Sequence, residues 1–519
     1  MKLALASLDW ALAHLQRYSD TDKFPLPFEI DVMARLWNSS LRAQLSNIDI
    51  TQHRWKGERK MLVPKDSVSF RNAAQLDPMD ALLFAALTYE IGGWIERKRS
   101  PIADKRVFSY RFAPVADGTL FGPDLWDDFW ETSIRRASTR PIVLTLDITD
   151  FYNQISHHSI ENQLQRCGVA TPAVKVVMNL LKASTASVSK GIPVGPHPAH
   201  LLAEASLIPI DELLALRGFE YCRYVDDIHV FCESEERAQV ALFAIAGVLD
   251  QYHKLTLNPS KTRVLRSGPF QIIARNKAND QPINSSEATV LAVIKKYATG
   301  PYTAIPVSRL TETDLAKLSQ RALEEILGAY LGASERDYIR LRFFLRRLAQ
   351  VGVPGAVEFL VANLSQLLPA FAEVAGYLHA ATPMYQGSWP ALGAQLLNLL
   401  ESPIAKESEY LQIVILGLFA RIAQLNHIHL LTGRYPSSAP SAQREIVLAA
   451  TAVGADAWLR TLKADYSRFD PWMRRAFSYA CRVFPKDECR FWVKEMKALV
   501  SSALELSILQ DSSSVAHDA

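Results

Sequence analysis

Cysteine is scarce in this chain. The five cysteines in 519 residues (Cys167, Cys222, Cys232, Cys481 and Cys489) form neither a C-x-x-C pair nor an even framework. That argues against a disulfide-stapled scaffold and fits a reducing cytoplasm. Long apolar runs are also missing, so no segment is expected to span a membrane. The opening Met1-Lys2-Leu3-Ala4-Leu5-Ala6 begins like a signal peptide, but Asp9 interrupts it and no small-residue cleavage site follows. An amphipathic helix is expected there instead. Excess charge is the third absence: 57 Lys and Arg against 54 Asp and Glu leave only +3. Bulk charge therefore does not advertise a polyanionic partner, and local clustering has to be read instead.

What is present is a globular composition, 49% hydrophobic and 21% charged, in a chain long enough for two or three domains. Its most informative segment is Tyr224-Val225-Asp226-Asp227. Glu220 to Val225 reads as one strand and Ile228 to Phe231 as its return, with both aspartates at the turn. A purely structural tight turn prefers Asn-Gly or Asp-Gly. Adjacent like charges cost free energy unless a cation neutralises them. Upstream, Ile142 to Leu146 is a β-branched apolar run ending in Asp147, as a buried strand delivering a carboxylate to its mouth would be. Asp147 and Asp226 lie 79 residues apart, so a helical excursion between two strands of one sheet would have to join them. Carboxylates so paired suit Mg²⁺, two of which can clamp an in-line phosphoryl displacement.

Four segments in this order resemble the motifs of reverse transcriptases. Leu146-Asp147-Ile148-Thr149-Asp150-Phe151-Tyr152 resembles motif A. Gly191-Ile192-Pro193-Val194-Gly195-Pro196 with Leu201-Leu202-Ala203-Glu204 resembles motif B. Tyr224 to Asp227 resembles motif C, and Leu257-Asn258-Pro259-Ser260-Lys261-Thr262 motif D. The likeness covers roughly residues 50 to 270.

The resemblance implies an RNA-directed DNA polymerase, a nucleotidyltransferase taking dNTPs. Asp147, Asp226 and Asp227 would be catalytic and, with the Ile148 carbonyl, would hold two Mg²⁺ ions, Mn²⁺ being the alternative. Ile148, Asp150, Phe151, Tyr152, Gly195 and Lys261 would meet the nucleotide. In that set Tyr152 would be the steric gate against a 2′-hydroxyl, and Lys261 would approach the phosphates. The implied fold is α+β, a right-hand palm and fingers over 1–300, then an all-α helical-repeat domain over 301–510. Residues 511–519, rich in serine, are expected to be a disordered tail.

Val194 stands where many members have glutamine, which removes a polar contact near the nucleotide and leaves templated and untemplated synthesis both open. This Ile-Pro-Val-Gly-Pro form resembles defence-associated, abortive-infection reverse transcriptases of bacteria, as do Phe108 to Phe112 and His157 to Asn162. An antiviral role follows as an expectation. The sequence leaves open protein priming, a dedicated non-coding RNA as template, other RNA or DNA partners, and homo-oligomerisation. Two other readings compete. A nucleotide cyclase predicts a Gly-Gly-[Asp/Glu]-Glu-Phe turn, which this chain lacks. A catalytically silent nucleic-acid-binding scaffold, acting through its helical half, would usually have lost an aspartate.

Basic residues cluster at Arg54 to Lys65 and again at Arg97 to Arg111, where phosphate contacts are expected. His157 and His158 read as packing or hydrogen-bonding residues. Beyond about residue 300 helical spacing takes over, as in Leu315, Leu318, Ala322, Ile326 and Tyr330. Arg336, Arg340 and Arg347 share a helical stripe, with Arg342 and Arg346 close by, while Arg474, Arg475 and Arg482 flank Trp472. Either group could face nucleic acid or solvent.

Overall fold

The computed structural model describes the whole chain except residues 22, 279–281, 299–302, 501 and 516–519. It forms two compact units. The first comprises Met1–Thr21, Asn38–Lys60 and Ala74–Gln281. The second comprises Asp22–Trp37, Met61–Ala73 and Pro282–Ala519. The second unit thus draws two segments from the N-terminal part that the sequence reading gave wholly to the first domain. The boundary expected at residue 300 lies outside the described residues.

In the first unit, strands β3 (Ile142–Leu146), β4 (Glu220–Tyr224), β5 (Asp227–Cys232) and β6 (Arg263–Arg266) form a four-stranded sheet in the order β4-β5-β3-β6. Every pairing in it is antiparallel. Strands β1 (Arg59–Pro64) and β2 (Phe70–Gln75) pair in a separate two-stranded sheet. One face of the larger sheet presents Val143, Phe231 and Cys222 to Phe129 and Trp130 of the helix Trp126–Ala137 and to Phe270 of the helix Ser267–Ala278. Period-2 alternation turns Tyr221 and Arg223 to the other side, where the helix His197–Leu216 supplies Asp211. The segment around Val107 continues the sheet beyond β4 by a parallel bridge to Arg223.

The second unit is helical from Ser285 onwards among the described residues. Its stripe runs through Leu323, Ile326, Leu327 and Tyr330, because the chain breaks helix between Lys317 and Gln320 and leaves Leu315 exposed. Neighbouring helices pack pairwise: Tyr338–Val351 on Phe371–Ala381, Glu409–Arg421 on Pro440–Ala452, and Pro471–Ala480 on Ala503–Val515. That last helix corrects the expected tail, since Asp511 to Val515 are helical and Asp511 is buried against Arg35 and Arg482. Residues 516–519 of that tail lie outside the described residues. The cluster at Arg474, Arg475 and Arg482 is likewise structural: Arg475 is fully buried on Glu29, Arg482 pairs with Asp511 and Arg474 with Glu505. No described helix is long and apolar enough to cross a membrane.

Candidate active site

Register brings the aspartates together. β3 and β5 pair Leu146 with Ile228 as their last partners, and one further step sets Asp147 level with Asp227. β4 and β5 close at Tyr224 opposite Asp227. The two-residue turn is therefore Val225-Asp226 rather than Asp226-Asp227, and Asp227 opens the returning strand. Burial pushes the Asp226 carboxyl up to about 7, and the neighbouring charges of Asp227 and Asp147 add to that shift. Asp147 is 5% exposed, with both carboxylate oxygens engaged. Lys261 Nζ donates to Oδ1 at 2.9 Å and Asn258 Nδ2 to Oδ2 at 3.0 Å. The Asn258 backbone N–H also donates to the Asp147 carbonyl at 2.8 Å. Burial works against the charge of Lys261, yet Asp147, with Asp227 and Asp226 behind it, holds its ammonium above the ordinary lysine range. Its side chain is 57% exposed and so reaches Asp147 from the solvent side.

Among the described residues no three His, Cys, Asp or Glu side chains form a ready metal cage. The donor set still fits a cation: three carboxylates crowd one edge of the sheet, and the Lys261 ammonium supplies the positive charge beside them.

The other motif A residues follow directly. Ile148 is buried and bridges Leu257, bringing motif D alongside motif A. Asp150 adopts a left-handed conformation (φ 48°), with its carboxylate accepting from Asn153 and Gln154. Phe151 is buried. Tyr152 is half-buried, and its hydroxyl lies 2.6 Å from His200 Nδ1. The His200 ring in turn stacks flat on Tyr110 at 4.1 Å. Gly195 has φ +127°, and a Cβ there would stand 2.7 Å from Thr21 Oγ1, so only glycine fits without a shift. His157 is buried and bonds the Gly191 carbonyl at 2.8 Å, in keeping with a hydrogen-bonding role.

The turn itself is strained. Val225 has φ +53°, a region a β-branched residue enters at a cost of about 1–3 kcal/mol unless its surroundings impose it. Here they do. Ser109 Oγ accepts the Val225 N–H at 2.8 Å, and Arg223 Nη1 donates to the Val225 carbonyl at 2.9 Å. Behind them lies a buried ionic network. Glu204 takes Ser109 Oγ at 2.5 Å, Arg99 at 2.7 Å and Arg223 at 3.0 Å, while Arg223 also clasps Asp211 through two bonds. Burial alone would raise the Glu204 carboxyl, but Arg223 and Arg99 hold it below the usual carboxylate range.

Sequence reasoning assigned Arg99 and Arg111 to a phosphate-binding stretch. Both are buried instead: Arg99 serves Glu204, and Arg111 pairs with Glu96. Asn258, Ser109, Arg223, Asp211 and His200 received no role from the sequence. A lone arginine in the apolar run Tyr221-Cys222-Arg223-Tyr224, and a lone glutamate after Leu201-Leu202-Ala203, were the available signals of a buried pair.

Residues 106–294 match the reverse transcriptase (RNA-dependent DNA polymerase) family. That stretch contains the three aspartates, Ile148 to Tyr152, Gly195 and Lys261, while Arg99 of the buried network lies before it. Among solved structures, the chain is similar to telomerase from Candida albicans in complex with the TWJ fragment of telomeric RNA. The two share 10% identity over 68% of each chain, with a TM-score of 0.32. No curated protein matches the chain at a significant level. By its matched stretch the chain carries an RNA-directed DNA polymerase domain.

Proposed function

We propose that this domain adds deoxynucleotides by two-metal catalysis, with Asp147, Asp226 and Asp227 as the catalytic carboxylates, and that it acts in bacterial defence against phage. The observation that carries the reading is the gathering of three carboxylates at one sheet edge, where burial and mutual repulsion raise the Asp226 carboxyl to about 7. Such crowding is costly without cations and useful with them. Asp147, Asp226, Asp227 and the Ile148 carbonyl would hold two Mg²⁺ ions, or Mn²⁺. The ions would supply activation of the attacking hydroxyl and neutralisation of the departing pyrophosphate.

The chain's own groups do the remaining work. Lys261 exchanges Asp147 for the nucleotide phosphates and donates a proton to the leaving group. Tyr152, fixed by His200, sets its ring beneath the sugar and excludes a 2′-hydroxyl. Phe151 backs that ring, the amides around Asp150 meet the triphosphate, and Gly195 admits the backbone close to the nascent pair.

The four-stranded sheet with its helices supports the reading of a polymerase palm with fingers, and the paired helices of the second unit that of a repeat-like C-terminal domain. The Ile192-Pro193-Val194-Gly195-Pro196 form supports the defence assignment. A phage challenge of cells expressing the chain or its Asp226→Asn variant tests that assignment. Protection lost in the variant, at equal protein level, is expected. Protection retained would leave the palm a scaffold.

A further inference from the structure

The second unit contains a cavity of about 290 Å³ whose lining is strongly basic. Among the described residues of its lining, Lys23, Lys65, Arg71, Arg342 and Arg346 stand around it against a single carboxylate, Glu373. All six belong to the second unit. Formally that is five positive charges against one, a local excess larger than the +3 of the whole chain.

The arginine helix Tyr338–Val351 explains how the charge gathers. The expected stripe of Arg336, Arg340 and Arg347 is used internally. Arg340 pairs with buried Glu287, Arg336 bonds the Leu331 carbonyl and Gln366, and Arg347 bonds Gln350. Arg342 and Arg346, one turn apart, share the face that lines the cavity. Each is anchored: Arg342 Nη1 donates to the Pro369 carbonyl at 3.1 Å, and Arg346 Nη1 to Glu373 at 3.0 Å. The guanidinium of Arg342 lies below its ordinary range, chiefly through burial, with the opposing charge of Glu373 offsetting the like charges of Arg71 and Arg346.

Several inner arginines of this unit are neutralised by carboxylates. Glu29 takes Arg444 and Arg475, Asp511 takes Arg35 and Arg482, and Glu488 takes Arg460. In the cavity Arg346 pairs with Glu373, and five basic side chains of the lining share that one carboxylate. Like charges held together by the fold cost free energy that a bound anion would recover.

We propose that this cavity binds a compact oligophosphate. Guanidinium forks suit phosphate oxygens better than any other common anion. At roughly −1.5 to −2 per terminal phosphate, two or three phosphate groups balance the excess. The one aromatic residue in the described lining, Tyr410, is only 3% exposed, so recognition is of phosphate rather than of a stacked base. The phosphates come either from a free nucleoside triphosphate or from a polynucleotide backbone. This site is separate in chemistry from the three carboxylates and does not rest on the proposed polymerase mechanism.

The test is calorimetric titration of the full chain with inorganic tripolyphosphate in EDTA, which suppresses metal-dependent nucleotide binding. One site per chain is expected. Arg342→Gln and Arg71→Gln should each weaken it about tenfold, a loss of one well-placed charged bond. Arg336→Gln, just ahead of that helix and outside the cavity, should leave it unchanged. Arg71→Gln should melt no lower than the parent without ligand, because it removes a repulsive charge, and both weakening variants should lose the rise in Tm that tripolyphosphate gives. Displacement of tripolyphosphate by dATP but not by a single-stranded oligodeoxynucleotide without terminal phosphates would identify the free nucleotide as the source. Displacement by the oligonucleotide would identify the backbone. Absence of tripolyphosphate binding, or binding indifferent to Arg342→Gln and Arg71→Gln, would overturn the proposal.

Discussion

Ser109 Oγ accepts the Val225 N–H at 2.8 Å and donates its own O–H to Glu204 Oε1 at 2.5 Å. The residue before Asp226 is thereby tied to a carboxylate that Arg99 and Arg223 neutralise. A β-branched residue at positive φ would relax if released. Ser109→Ala removes the acceptor and leaves a buried N–H unpaired, at about 1–3 kcal/mol. We expect the rate of nucleotide addition to fall about tenfold while KM for the dNTP is unchanged, the signature of a misplaced Asp226. Single-turnover incorporation beside urea unfolding checks it. Lower stability with unaltered rate would reduce Ser109 to a structural residue.

Asp226 is expected to oppose stability while serving function. Its carboxyl is crowded by Asp227 and Asp147 in a half-buried site. Asp226→Asn should therefore abolish incorporation and raise Tm by a few degrees, the trade-off expected of an active-site charge. Thermal melting beside a polymerase assay reads both. A variant that lost activity and also melted lower would point to a structural role for the charge.

Tyr152 owes its orientation to His200, which Tyr110 holds by stacking. Tyr152→Ala should raise ribonucleotide incorporation relative to deoxynucleotide about tenfold or more. His200→Ala, which frees the ring without removing it, should raise it by a smaller factor. Competition between labelled rNTP and dNTP measures the ratio. An unchanged ratio in Tyr152→Ala would remove the residue from sugar selection.

His14 gives a pH-dependent stability. Burial first, and then the neighbouring His197, lower its pKa from 6.5 to about 3, against the hydrogen bond with the Gly118 carbonyl. Its Nε2 is buried and unpartnered, so a second proton would have no acceptor. Between those values the unfolded chain binds the proton that the folded chain refuses. The neutral-His14 fold is fully favoured above about pH 6.5 and loses stability as pH falls, by at most about 1.4 kcal/mol per pH unit. Urea unfolding at pH 7.5 and 5.5 should show a larger loss for the parent than for His14→Gln. Equal losses would contradict it.

The strands β3, β4 and β5 and the aspartates were legible in the sequence because their signals are local, whereas β6 was not read from it. Ile142 to Leu146 is apolar and β-branched, and Asp147 ends it. The turn was misplaced by one residue, since only register shows that Asp227 pairs with Tyr224. Arg99 and Arg111 looked like phosphate ligands because charge in sequence carries no sign of burial, and their partners Glu204 and Glu96 were not paired with them from the sequence. The same limit hid the basic cavity: Lys23, Arg71 and Arg342 come from three distant segments. The helix through Asp511 was missed because its serines suggested a tail, while Arg35, hundreds of residues away, supplies the charge that buries it.

The most direct measurement of the central claim is incubation of the purified chain with Mg²⁺ and each labelled dNTP or rNTP, with and without co-purifying RNA. Products are then digested separately with nuclease and with protease. The account predicts nuclease-sensitive product from dNTPs alone, abolished by EDTA and by Asp147→Asn or Asp226→Asn. A shift on protease treatment would identify a protein primer. No incorporation even with the native RNA supplied, or product undiminished in Asp226→Asn, would contradict the assignment of the three aspartates to catalysis.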